Sequence, residues 1–293
     1  MSFIILSDAS VNLDKAMREK YDIESIPFLM TCKRDGKEYV ADSDWSNISS
    51  ANFYGRMRKG DQFQTTQVQV VTYEEYYEKF LSQGKDILCI SVSSGISGSF
   101  SASVLAKDNI MSKYPNRKIV CIDSLRASGG QGLLAMKSSI MRAEGKSIGE
   151  VAAWLEKNRH MVHQFGTVDD LIYLKRAGRV SGFAHTMAKI LNIRPIVGVN
   201  RKGENQSLSK VKGRKKSLST MIDLAKENVI NPEEQIVFIV HADCLEDAES
   251  LKKDIMTAIP FKDCYINVVT TAVGASTGPS MMAVYFFGKE ITK

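Results

Sequence analysis

Three short apolar runs constrain the fold most: "FIILS" at 3–7, "DILCISV" at 86–92 and "KIVCIDS" at 118–124. Each is rich in β-branched residues and of strand length. Each leads into a loop and then a helical pattern, the rhythm of a parallel α/β sheet. "TYEEYYEKFLSQG" (72–84) predicts a helix, with a Thr72/Glu75 capping box and Gly84 as its stop. "SIGEVAAWLEKN" (147–158) repeats the device with Ser147 and Glu150, after Gly145 has closed the preceding helix.

The rhythm changes near residues 158–163. "RPIVGVNRKGENQSLSKVKG" reads as a hairpin with a glycine-containing turn, and a helix follows over "RKKSLSTMIDLAKENV". Then come the strand "QIVFIVHA", a helix over 245–257, and the strands "YINVVTTA" and "MAVYFF". The expectation is a two-domain α/β protein. An N-terminal α/β/α domain with a parallel sheet (1–160) precedes a C-terminal α/β domain with a mixed sheet (161–293), and the ligand lies between them. A length of 293 residues fits two domains.

No run approaches the ~20 apolar residues a spanning helix needs. "MSFIILSDAS" lacks a basic leader and meets Asp8 early, so the sequence reads as cytoplasmic. The five cysteines (Cys32, Cys89, Cys121, Cys244, Cys264) are dispersed with no C-x-x-C pair, which fits a reducing compartment and argues against zinc. The four histidines (His160, His163, His185, His241) have no ligand spacing and read as structural. The net charge of +6 is concentrated in 201–216. That run reads as a solvated hairpin, with docking to an acidic protein or a phosphate as the sharper alternative. It has no interleaved aromatics for stacking bases, so nucleic acid is not the expected partner.

In open α/β sheets, ligands bind beyond the carboxyl ends of the strands. Here those positions hold "SDAS" (7–10), "SSGISGS" (93–99), "LRASGGQG" (125–132) and "VVTTAVGASTGPS" (268–280). Hydroxyls, backbone N–H groups and a helix starting at Ser97–Ser99 suit a carboxylate or phosphate. Asp8 and Asp123 end buried strands and are expected to accept from loop N–H groups. The nucleophile elbow G-x-S-x-G, the phosphate loop G-x-x-x-x-G-K-[ST] and the dinucleotide motif G-x-G-x-x-G are all absent. His241 has no serine tied to it.

Taken together, "SDAS", "TTQVQ" (65–69), "SSGISGS", "DSLRASGGQG", "DDLIYLKRAGRVS" (169–181), "RPIV" (194–197), "KGRKK" (212–216) and "GASTGPS" (274–280) stand in the order typical of the DegV family. The chain resembles that family along nearly its whole length. The resemblance implies a non-enzymatic carrier without metal or cofactor that binds one long-chain fatty acid. It presents the carboxylate to an ATP-dependent fatty acid kinase for acyl-phosphate formation, with peripheral membrane contact as a further expectation. By the same resemblance Thr65 and Ser97 donate to the carboxylate, with Thr66, Ser93, Ser94, Gly98 and Ser276 beside them. Arg176, Arg179 and Arg214 match basic positions near the head group or the kinase.

Ser276 stands where the family pattern G-x-H-x-G-P-G has histidine. Its hydroxyl still donates a hydrogen bond but carries no charge near neutral pH, which marks a divergent paralogue. Val68 and Gln69 replace the proline and serine of a T-S-Q-P-S pattern, and Ala9 replaces a hydroxyl residue. The alternatives are an enzyme or binding protein for a small phosphorylated or carboxylated metabolite, or an interaction protein acting through its basic 201–216 face.

Overall fold

The computed structural model describes residues 3–179 and 192–292. His185 and the last two residues of "DDLIYLKRAGRVS" lie outside them. Along the first half run β1 (Phe3–Asp8), α1 (Lys15–Tyr21), β2 (Ile23–Ile26), β3 (Phe28–Cys32), β4 (Glu38–Ala41), α2 (Ser50–Arg58) and β5 (Phe63–Thr65). Next come α3 (Val70–Leu81), β6 (Asp86–Ser91), α4 (Ser99–Ile110), β7 (Ile119–Asp123), α5 (Gly129–Ala143) and α6 (Ile148–Asn158). The second half holds β8 (Val162–Thr167), α7 (Ile172–Arg176), β9 (Ile193–Val199), β10 (Asn205–Lys212), α8 (Arg214–Asn228) and β11 (Ile236–His241). It ends with α9 (Leu245–Ala258), β12 (Asp263–Val268), α10 (Thr271–Thr277) and β13 (Met282–Phe287).

The three apolar runs become β1, β6 and β7 of a parallel sheet ordered β2-β1-β6-β7. The central strand β1 is buried at every residue, whereas the edge strand β2 is buried only at its ends. A strand covered on both faces needs an unbroken apolar run, which the two inner strands β1 and β6 have. The second sheet, ordered β10-β9-β8-β13-β11-β12, is mixed, with β11 and β12 its only parallel pair among the described residues. The fold is thus the expected mixed α/β arrangement.

A small antiparallel sheet, β4-β3-β5, was not expected from the sequence. Its strands alternate buried and exposed residues, so one face rests on the core while Leu29 and Val40 face water.

Helix α5 joins the two larger sheets. It packs on β1, β2 and β6 of one and on β8, β11 and β13 of the other. Residues 129–136 are all buried, as a helix covered on opposite faces must be.

Local signals held where packing agreed with them. Ser147 and Glu150 form the expected capping box. The box at Thr72 does not form, because α3 begins two residues earlier at Val70, behind Gln69. "GASTGPS", expected as loop, supplies the end of α10. Gly274 lets that helix lie against α2: a Cβ there would sit 2.4 Å from the Tyr54 hydroxyl. The basic 201–216 run is divided between structural tasks. Arg201 pairs with Glu290 at 2.6 Å, while Lys210 and Lys212 lie on the edge strand β10, where charge discourages further strand pairing.

Two glycines test the packing of the helices. At Gly132 a Cβ would meet the Val11 carbonyl oxygen at 2.7 Å, whereas at Gly149 it meets nothing within 4 Å. Gly132→Ala should lower stability by about 1–3 kcal/mol, and Gly149→Ala should raise it by up to ~1 kcal/mol. Urea unfolding midpoints for the two variants check this; a neutral Gly132→Ala would contradict the close approach of α5 to the β1 loop.

Candidate functional site: a crevice between the sheets

The loops at the ends of β1, β6 and β7 are held by buried carboxylates. Asp8 Oδ2 accepts from Val92 N–H at 2.7 Å, and Asp8 Oδ1 accepts from Ser10 N–H at 3.2 Å and Gln131 Nε2 at 3.2 Å. Burial raises the Asp8 pKa while these donors pull it back. Asp123 Oδ1 accepts from Ser94 N–H at 3.1 Å and Leu125 N–H at 3.0 Å. Both aspartates therefore shape loops, as their places at strand ends implied.

Between these loops, the small sheet and α10 opens a crevice of about 970 Å³, counted out to its open mouth. Its wall is largely apolar, with Phe28, Val92, Ile96, Leu174, Val197 and Met281 among its residues. Thr65, Thr66, Ser97, Ser276 and Thr277 bring hydroxyls to it, and the packing of α10 on β5 sets Ser276 and Thr65 in neighbouring elements. A second basin of about 700 Å³ adjoins it and carries Lys33, Gln62 and Arg176. Thr65, Arg179 and Ser276 line both cavities, so they mark the passage between an apolar interior and a cationic exterior.

The local bonding leaves Ser97 suited to hold an anion. Val68 N–H donates to Ser99 Oγ at 3.2 Å, which ties the 65–68 segment to the start of α4. Ser97 Oγ accepts from Ser99 N–H at 3.3 Å and lies 2.9 Å from Ser99 Oγ. With Ser99 as donor in that hydroxyl pair, Ser97 keeps its own hydrogen for an acceptor in the crevice. The positive end of the 12-residue helix α4 lies beside it. Arg179 Nε donates to the Ile96 carbonyl at 3.0 Å, which joins the segment after α7 to the same loop.

The residues singled out from sequence divide into three groups. Thr65, Thr66, Ser97, Ser276 and Arg179 meet at the crevice, and Arg176 lies in the outer basin. Ser93, Ser94 and Gly98 line neither cavity. Ser93 Oγ donates to the Gly203 carbonyl at 2.8 Å, Ser94 is held through its N–H by Asp123, and Gly98 starts α4 under the Gln67 side chain. Arg214 also lines neither. It donates to Asp247 at 2.8 Å and to the Ser280 carbonyl at 2.9 Å, bracing the turn that follows α10. Gln67, Lys33, Gln164, Ser128 and Tyr285 line the cavities without having been singled out. Gln67 lies inside the "TTQVQ" motif and Ser128 inside "LRASGGQG", so both were findable. The others lie within strands or a hairpin, and nothing local marks them.

The histidines within the described residues serve the core or lie at its margin. His163 Nε2 lies 2.7 Å from the Lys289 carbonyl, and its ring stacks on Phe286 at 5.4 Å. His241 Nδ1 accepts from Cys244 N–H at 3.2 Å. No group of His, Cys, Asp or Glu among the described residues is placed to hold a metal ion. No helix there is long and apolar enough to cross a membrane.

Comparison with known proteins places this architecture. Over residues 2–289 the chain matches the family described as "Uncharacterised protein, DegV family COG1307". The chain belongs to the DegV family. A DegV domain-containing protein of Clostridium perfringens is 37% identical over 286 residues, covering 98% of this chain and 97% of that one. A Thermotoga maritima protein whose structure reveals a fatty acid binding function is 26% identical, with a TM-score of 0.85 over 99% of this chain and 100% of that one. A DegV lipid binding protein of the same organism is 25% identical, with a TM-score of 0.86 and full coverage of both chains. A stearic acid-binding protein of Eubacterium ventriosum, 23% identical, shares the fold with a TM-score of 0.88 over 98% of each chain.

Burial lowers the pKa of His163, and the neighbouring Arg126 charge adds to the effect. The unfolded chain then binds more protons below pH ~6.5, so this residue's contribution to stability falls as pH drops through that value. His163→Phe keeps the stacked ring and removes the titration. The stability difference, wild type minus variant, should shrink from pH 7.5 to pH 5.5 in paired urea melts; a constant difference would contradict a neutral buried His163.

Proposed function

We propose that this DegV-family chain binds one long-chain fatty acid in the crevice between an N-terminal unit (1–160) and a C-terminal unit (161–293). The carboxylate is held by Thr65, Ser97 and Ser276, with Thr66 beside them, and the tail runs along the apolar wall. The observation that carries this reading is a largely apolar crevice whose lining includes the hydroxyls of Thr65, Ser97 and Ser276, with α10 packed on β5. Each tail methylene gains about 0.8 kcal/mol on burial. A buried carboxylate left without donors would cost several kcal/mol, and the hydroxyls with the start of α4 supply them. A small polar metabolite would leave most of the apolar wall without a partner, which disfavours the alternative.

The second cavity supports a reading of the handover. The resemblance suggests a carrier that shows its carboxylate to an ATP-dependent kinase, and Lys33, Arg176 and Arg179 surround the outer side of the passage. Those cations offset the charge that would build up as a phosphoryl group meets the carboxylate. Ser276, at the passage itself, donates a hydrogen bond but cannot carry charge as the histidine of the family pattern does. We read the chain as a divergent paralogue that binds the acid and hands it on slowly.

Native mass spectrometry of the purified protein should show one fatty acid per chain, identified after organic extraction. An empty crevice or a polar ligand would overturn the reading. Thr65→Val and Ser97→Ala should each weaken fatty acid binding about tenfold, the loss of one hydrogen bond to a charged group; unchanged dissociation constants would place the carboxylate elsewhere. Ser276→His should speed acyl-phosphate formation by a partner kinase with little change in binding. No gain would remove Ser276 from the account of handover.

A further inference from the structure

We propose that the acyl chain held here carries a hydroxyl group along its length, received by Ser128, Tyr285 and Gln164. The inference rests on the fatty acid reading above and specifies the class of acid. A plain hydrocarbon tail calls for an apolar wall throughout, and the inner wall of this crevice is not uniform. Ser128, Gln164 and Tyr285 all line it, and none of them lines the outer basin where Thr65 and Ser276 reappear.

Two polar atoms of this group lack a well-formed hydrogen bond among the described residues. Gln164 Oε1 is buried with no hydrogen bond, and buried Ser128 Oγ has no well-formed one, its neighbour being the Tyr285 hydroxyl. Buried polar atoms are as a rule paired, so each exception calls for a reason. The Gln164 amide is fixed by its other end, since Nε2 donates to Asn205 Oδ1 at 3.0 Å, which leaves Oε1 as an acceptor. Ser128 precedes α5 but does not cap it, and its backbone has φ 54° and ψ −133°, in the region that favours glycine. Strain of that kind persists where the surroundings enforce it, and it gathers at ligand sites.

Tyr285 completes the group. Its ring lies on the start of α5, where a Cβ on Gly129 would come within 2.6 Å of Cδ2. Its hydroxyl interacts with the Ser128 hydroxyl, so the two act as a pair beside Gln164 Oε1. On the sheet, Tyr285 of β13 is the register partner of Gln164 of β8, so the two share a face. The site thus offers one fixed acceptor, Gln164 Oε1, beside a pair of hydroxyls that keeps one hydrogen to donate. An alcohol, which donates once and accepts, matches that set; a methylene matches none of it. Gly129 and Gly130 of "SGGQG" then make room for the Tyr285 ring, leaving the carboxylate to the other loops.

The test is displacement of a fluorescent fatty acid from the full chain by stearate and by a series of stearates each hydroxylated at one carbon. At least one hydroxystearate should bind about fivefold or more tighter than stearate, the value of one added hydrogen bond. That ratio should fall toward one in Ser128→Ala and in Tyr285→Phe, the second of which keeps the ring over α5 if the first disturbs the loop. Stearate binding as tightly as every hydroxystearate would overturn this proposal while leaving the fatty acid reading intact. Displacement by neither kind of acid would overturn both.

Discussion

Asp8 ends β1 with its carboxyl group fully buried, and groups from three segments converge on it: Ser10 from its own loop, Val92 from the end of β6, and Gln131 from α5. Removing one partner from such a network leaves the others buried and unpaired, at about 1–3 kcal/mol each. The arrangement fixes the β1 loop against the β6 loop and both against the helix between the sheets. Because α5 also packs on β8, β11 and β13, the same contacts set the distance between the two sheets. The width of the crevice is therefore a property of the core, and its lining residues need only fill a gap already held open.

The gap has two chemistries. Inside it, apolar side chains such as Phe28, Val92, Val197 and Met281 supply area without direction. At the passage to the outer basin, hydroxyls on α10, β5 and the loop before α4 supply direction with little area. Binding energy and orientation thus come from different residues, so a change at the passage should alter how a carboxylate is presented more than whether a tail is held. Arg214 belongs to this logic at one remove. It fixes the Ser280 turn, and through it the end of the helix that carries Ser276.

Much of this was legible in the sequence. The strands β1, β6 and β7 declared themselves because a strand buried on both faces needs a continuous apolar run. Asp8 and Asp123 followed from standing at the ends of such strands. Serine and glycine marked the loops but not their division of labour. Ser97 faces the crevice while Ser93, four residues earlier, is spent on the Gly203 carbonyl, a contact with a hairpin 110 residues away. Thr72 has the residues of a helix cap and is not one, because burial of Tyr73, Tyr77, Phe80 and Leu81 fixes where α3 lies and the helix extends back to Val70. The small sheet and the contribution of β8 to the crevice were missed. Their strands are short or carry polar residues such as His163 and Gln164, and their pairing is decided by distant partners.

In the proposed complex a carboxylate sits at the hydroxyl passage, out of bulk water, with its chain inside. Carbon-13 NMR of carboxyl-labelled palmitate bound to the protein measures this directly. The account predicts one bound resonance whose chemical shift stays constant across the pH range in which the free acid titrates, and which moves in Ser97→Ala. A bound resonance that titrates as the acid does in water, untouched by that substitution, would place the head group outside the passage and contradict the account.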